Sequence, residues 1–300
     1  MLKKSSESTK RLNMQSCQTI IVKNPTLPLD DIERSLTKTY RKDIYRPFVQ
    51  AISEYELVEP GDKIAVALSG GKDSLILAKL FQALKKQNKF PFEVVFLSMD
   101  PGFREENRAL LENNCAYLGI PIVIKDSNIF NVVGKIASDN PCYMCARMRR
   151  GFLYKAAIDM GCNKLALGHH FDDVIETTMM SIFYNGQFKT MVPKIEAENF
   201  ENIELIRPMI NVKEKDIVRW INHSGIQAMN CGCTVVAEKT SSKRREIKEL
   251  IDHLRKTNPD IDQNIFNAGA NVNIEAILGY QSDQGKKHFN ELYKERRKQK

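Results

Sequence analysis

The six residues Ser69-Gly70-Gly71-Lys72-Asp73-Ser74 constrain this chain more than any other segment. They follow residues 63–68 (KIAVAL), a short apolar run suited to a buried parallel strand. They open residues 74–85, where apolar side chains recur at helical spacing. A strand that ends in two glycines and resumes as a helix has the layout of a phosphate loop. The glycines let the backbone approach an anion and turn N–H groups toward it. The helix start adds partial positive charge. Ser69 and Ser74 supply hydroxyls, Lys72 a full charge, and Asp73 either a helix cap or a ligand for Mg2+. The spacing is not Gly-x-x-x-x-Gly-Lys-Ser/Thr, which excludes a Walker A loop.

The pattern of strand then helix repeats. Residues 93–99, 121–125, 164–167 and 203–207 read as further strands, and residues 104–118, 145–160 and 172–184 as helices. Such alternation predicts an α/β fold with a doubly wound, mainly parallel sheet. Residues 31–55 read as an amphipathic helix broken near Pro47, and residues 19–22 as a short strand. The expected organisation is an N-terminal arm over 1–35, an ATP-binding α/β domain over 36–215, and a mainly helical region over 216–300. That region includes helical segments at 243–256 and 274–278 and a basic tail from Lys286.

The fourth strand leads into Gly168-His169-His170-Phe171-Asp172-Asp173. Adjacent carboxylates beside a polyphosphate can share Mg2+, although two acids at a helix start also serve as caps. Asp100-Pro101-Gly102 marks a turn at the end of the second strand, where ligands of open parallel sheets bind. Arg147, Arg149 and Arg150 form either a solvated basic face or a contact to phosphate. Lys243-Arg244-Arg245 and the basic tail read as surface, with contact to RNA as the alternative.

Seven cysteines, an odd number, argue against a disulfide framework. Cys142 and Cys145 are spaced C-x-x-C, and Cys231 and Cys233 C-x-C. These pairs suit half a zinc site, part of an iron–sulfur site or a redox couple. Cys115 and Cys162 sit in apolar helical contexts and read as core, while Cys17 stands alone.

Taken together these motifs resemble the PP-loop ATP pyrophosphatases, whose fold is HUP-like and whose SGGxDS loop grips pyrophosphate. The segments CYMCARMRRGFLY (142–154), GHHFDD (168–173) and RPMINVKEKDI (207–217) resemble the TtcA family of tRNA 2-thiocytidine synthetases, over residues 40–260. The resemblance implies ATP cleavage between the α and β phosphates, adenylation of a cytidine in the tRNA anticodon loop (position 32), and sulfur insertion. It implies a nucleotide site of Ala67, Ser69, Gly70, Gly71, Lys72, Asp73, Ser74, Ser98, Gly168, His169, Asp172 and Asp173, with adenine near residues 97–99. Lys72, Asp73, Arg149 and Asp172 are its implied catalytic residues. It also implies a 4Fe-4S cluster on Cys142, Cys145 and Cys231, with Cys233 as second choice and zinc as a less favoured occupant. The C-x-C spacing departs from the C-x-x-C common in that family. Other PP-loop activities, 2-thiouridine or lysidine synthesis, or a non-catalytic RNA- or metal-binding role, are the alternatives.

Lys and Arg outnumber Asp and Glu by 45 to 37, a net charge of +8 that favours a polyanionic partner such as tRNA. A sulfur donor such as a cysteine desulfurase and a second copy of the chain are further expected partners. The polar, basic first residues and the lack of a long apolar run lead to the expectation of a cytoplasmic protein without membrane contact.

Overall fold

The computed structural model describes residues 24–127, 141–229 and 240–298. Six strands form one sheet: β1 (Lys63–Ala67), β2 (Glu93–Asp100), β3 (Ile122–Asp126), β4 (Lys164–Ala166), β5 (Lys194–Glu196) and β6 (Glu204–Ile206). Their order is β3-β2-β1-β4-β6-β5, and all neighbours are parallel except β5 with β6. The chain steps outward from β1 to β3, then returns to lay β4 on the other side of β1. The loops after β1 and β4 therefore meet at the point where strand order reverses, the place where open parallel sheets bind ligands.

Helices α1 (Leu29–Thr37), α2 (Arg46–Glu54), α3 (Lys72–Gln87), α4 (Glu105–Tyr117), α5 (Pro141–Asp159), α6 (Phe171–Asn185) and α7 (Glu214–Ser224) accompany the sheet. They are followed by α8 (Thr240–Arg255), α9 (Ile261–Ala268) and α10 (Phe289–Lys298), with a hairpin of β7 (Gly279–Ser282) and β8 (Gly285–His288) before α10. The chain divides into two compact units, one of residues up to 174 with 192–245, the other of 175–191 with residues from 246 onward. Among the described residues no helix is long and apolar enough to cross a membrane.

Ile64, Ala65 and Val66 of β1 are all fully buried, which explains an apolar run without alternation. Ala65, Leu97, Leu165 and Leu205, from four adjacent strands, share one cluster with Tyr154 and Ala157 of α5. Cys115 and Cys162 belong to the core as expected. Burial pushes the Cys115 thiol up to about 12, so it is an inert packing group.

Three local expectations change. The helix anticipated over 31–55 is α1, a turn, a π-helical turn at Arg41–Tyr45, and α2. Pro47 lies in the first turn of α2, where its missing N–H costs nothing. The sequence does not reveal strand β5, because Lys194-Ile195-Glu196 at a sheet edge is too short to establish a period. The expected helix at 274–278 is a 3-10 turn, Ile274–Ala276, leading into the polar hairpin. At Gly279 an added Cβ would lie 2.5 Å from the Lys287 carbonyl oxygen, so the hairpin needs a glycine there. The strand expected at 19–22 and Cys17 fall outside the described residues.

The amino ends of the central strands are tied by one buried cation. Lys164 Nζ lies 2.8 Å from Asp62, 3.2 Å from Glu59 and 3.7 Å from Glu204. Asp62 also accepts the Asn163 amide at 2.7 Å and the Glu59 N–H at 2.7 Å. Burial alone would raise the Asp62 pKa, but Lys164 and these donors outweigh it and hold the carboxyl below its ordinary range. Replacing Lys164 by Met strands the buried carboxylate and is expected to cost about 3–5 kcal/mol in urea unfolding at neutral pH. The Asp62 contribution is complete above its unfolded pKa, near 4. It is lost as pH falls through the lower folded value. A variant melting within 1 kcal/mol of the native chain, or a native acid limb without this dependence, would contradict the assignment.

Candidate active site

The loop between β1 and α3 is closed by a serine. Ser74 Oγ accepts the Ser69 N–H at 3.1 Å and the Ser69 hydroxyl at 3.2 Å, and donates to the Gly71 carbonyl at 2.9 Å. Gly70 has φ +79°, a left-handed conformation natural to glycine. A Cβ there would also lie 2.2 Å from Met229 Sδ. Met229 donates its N–H to the Gly70 carbonyl at 2.9 Å, so the segment ending at Met229 is seated on the loop. The backbone N–H groups of Gly70, Lys72 and Asp73 have no partner among the described residues, which leaves donors for an anion at the helix start.

Lys72 Nζ lies 3.0 Å from Asp73 Oδ2 and 3.2 Å from Glu214 Oε1. Burial disfavours its ammonium, but the two carboxylates outweigh burial and raise the pKa above the ordinary lysine value. Asp73 Oδ1 is buried and accepts no hydrogen bond. An anionic oxygen in that state beside a phosphate loop fits a divalent cation.

The second loop packs directly on the first. A Cβ on Gly168 would lie 3.1 Å from the Asp73 carbonyl carbon and oxygen, so only glycine allows this approach without displacement. His170 Nε2 stands 3.7 Å from Asp73 Oδ1 and 3.5 Å from Asp173 Oδ2, between the two loops. Asp173 accepts the His170 N–H at 3.0 Å and Arg244 at 3.1 Å. Burial would raise its pKa, but His170, His169 and Arg244 hold it below the ordinary carboxylate range. Asp172 Oδ2 accepts the Glu214 N–H at 2.7 Å and thereby caps α7. Glu214 in turn meets Lys72, so the start of α7 is bound to both loops.

The network thus joins Lys72, Asp73, Gly168, Asp172 and Asp173 from the expected set, with His169 coupled electrostatically to Asp173. Ala67 ends β1, and Ser98 is fully buried on β2 with an unpartnered hydroxyl. Asp100 accepts the N–H groups of Gly102 (2.8 Å) and Phe103 (2.6 Å) and pairs with Arg108 at 2.9 Å, so it builds its turn. Arg149, half-buried on α5, has no ion pair among the described residues. Cys142 and Cys145 lie three apart on α5, a spacing that puts two positions on one helix face. Cys231 and Cys233 lie outside the described residues, and among the described residues no three His, Cys, Asp or Glu converge on a metal site.

Sequence reasoning did not single out Glu214, Arg244 or Met229, nor a separate role for Arg207. Arg244, a surface cation by its sequence neighbours, pairs with Asp173 across 71 positions of chain. Arg207 donates to the Val192 carbonyl at 2.5 Å and leaves its Nε buried and unpartnered. Burial and nearby Arg150 pull its pKa down to about 10, the mark of a crowded cationic pocket. Its place in Arg207-Pro208-Met209 was the only available signal.

Burial, together with Arg207 and Arg244, depresses the His169 pKa to about 4 despite the opposing pull of Asp173. His169 is therefore neutral at physiological pH, and its burial disfavours folding progressively as pH falls from about 6.5 toward 4. A ring-proton titration followed by NMR is expected to show an inflection near 4 for this residue. An inflection near 6.5 would contradict the described environment.

Comparison with known proteins agrees with this geometry. Residues 32–230 match the PP-loop domain family. The tRNA-cytidine(32) 2-sulfurtransferase of Burkholderia multivorans is 34% identical over 254 residues, 80% of this chain and 75% of that protein. The protein of the same name from Syntrophotalea carbinolica is 35% identical over 233 residues, 76% of this chain and 88% of its own length. Among solved structures, the U34-tRNA thiolase NcsA from Methanococcus maripaludis, with its 4Fe-4S cluster, shares the fold at TM-score 0.60 and 22% identity. The likeness covers 75% of this chain and 76% of that one. Fold, loop geometry and relatives converge: the chain belongs to the tRNA-cytidine(32) 2-sulfurtransferase family of PP-loop proteins.

Proposed function

We propose that this chain is an ATP-dependent tRNA sulfurtransferase that adenylates cytidine 32 of the anticodon loop and replaces its C2 oxygen with sulfur. The observation that carries the chemistry is the unpartnered Asp73 Oδ1 beside a loop with free N–H donors. The N–H groups of Gly70, Lys72 and Asp73 bind the β and γ phosphates of ATP. Lys72 adds its charge to the same group, and Asp73 is the residue that would hold Mg2+. The unstacked cytidine presents its C2 oxygen to the α-phosphorus. The new O–P bond forms as the bond to the β-phosphate oxygen breaks, and pyrophosphate departs with the charge that the loop neutralises. The activated C2–O bond then breaks when sulfide attacks C2, and AMP leaves with the oxygen. Neutral His169 does not add positive charge to the pocket at physiological pH, while Arg207 and Arg244 supply it.

Cys142 and Cys145 on one face of α5, with Cys231, are the residues that would hold a 4Fe-4S cluster. Cys231 follows Met229 by two residues in the sequence, and Met229 is the last described residue before it. Thiolate donors suit iron–sulfur chemistry, and such a cluster, when bound, supplies a soft site for sulfide. The sulfur itself must come from a donor such as a cysteine desulfurase.

Asp73→Asn is expected to lower tRNA adenylation at least about a thousand-fold while leaving melting temperature and iron content unchanged. Anaerobic purification is expected to yield about four iron and four sulfide per chain, lost in Cys142→Ala. Thiolation retained by Asp73→Asn would sink the assignment of Asp73. Stoichiometric zinc in place of iron would replace the cluster with a structural site.

A further inference from the structure

A cationic cleft stands at the far end of α3. A cleft of about 630 Å³ opens between the π-helical turn, α2 and the carboxyl end of α3. Its walls carry Arg41, Arg46 and Lys89 against a single carboxylate, Glu54. None of these three cations has an ion pair among the described residues. Tyr45, also in the wall, is 5% exposed, and its hydroxyl has neither solvent contact nor a partner. Ser53 adds a second hydroxyl. Both Arg41 and Tyr45 sit in the π turn, a helical irregularity that tends to occur at functional sites.

Guanidinium forks, an ammonium and the exposed Ser53 hydroxyl around a cleft with little negative charge define a receptor for phosphate. The cleft does not serve the nucleotide bound at the loop: α3 has 16 residues and separates the two places by roughly 24 Å. A folded RNA spans that distance, and a mononucleotide does not. We propose that this cleft holds backbone phosphates of the tRNA substrate, positioning the RNA while its target base reaches the loop. This rests on the sulfurtransferase reading and adds to it a docking point remote from the chemistry.

The test is tRNA binding by fluorescence anisotropy at several salt concentrations, with ATP affinity measured in parallel. Arg41→Ala/Arg46→Ala/Lys89→Ala is expected to weaken tRNA binding 10- to 100-fold. It should also flatten the slope of log affinity against log salt by about two to three, with ATP affinity unchanged. Ser53→Ala, which removes the exposed hydroxyl of the cleft, is expected to weaken tRNA binding a few-fold without lowering melting temperature. Unchanged tRNA affinity and salt slope in both variants would overturn the proposal while leaving the sulfurtransferase reading intact. If inorganic phosphate stabilises the native chain but not the triple variant, and tRNA affinity is the same in both, the cleft serves a free anion and the RNA assignment fails. A native chain that hydrolyses ATP but neither binds nor thiolates tRNA would remove the underlying reading.

Discussion

Parallel pairing of β1 with β4, Ile64 beside Lys164 and Val66 beside Ala166, is the constraint on which the site depends. It brings two distant loops to the same edge of the sheet, and glycine at 168 lets them touch. At the opposite edge, Lys164 holds the amino ends of these strands through Asp62, Glu59 and Glu204. The same strand register is thus secured by a buried ion pair below and sets the two loops against each other above. Shifting β4 by one residue would displace the second loop along the first and separate His170 from Asp73.

The electrostatics of the site follow from charges that are partly, and not fully, compensated. Lys72 is held between Asp73 and Glu214, and Asp173 between His170 and Arg244. Each pair fixes the geometry of a group at the junction of the two loops. What stays open is chemically specific: one carboxylate oxygen of Asp73 for a cation, three backbone N–H groups for an anion, and one edge of Arg207. Preorganised groups of this kind stabilise charge that develops in phosphoryl transfer without reorganising at the moment of reaction. Asp172 plays a different part in the network, since its oxygen caps α7 and so places Glu214 against Lys72.

Much of this was legible in the chain because it is written in local pattern. Apolar runs followed by glycine and then helical spacing locate β1, β4 and their loops to within a residue or two. The buried cysteines 115 and 162 were legible from their apolar neighbours. Other features depend on contacts between distant residues and leave no local trace. Arg244 looks like one of three surface cations in Lys243-Arg244-Arg245, and only the folded chain sets it on Asp173. Strand β5 and the β7–β8 hairpin are polar and short, so they lack the alternation that marks a half-buried strand. The π turn at Arg41–Tyr45 hides inside a helical period, because one inserted residue barely disturbs the apolar stripe.

The most direct measurement of the central claim is product analysis with purified chain, tRNA, ATP and a sulfide source. Nucleotides are resolved by chromatography and nucleosides by mass spectrometry. The account predicts tRNA-dependent AMP and pyrophosphate, each formed in equal amount with 2-thiocytidine at position 32. ADP and inorganic phosphate as the products, or 2-thiocytidine formed without AMP, would contradict it.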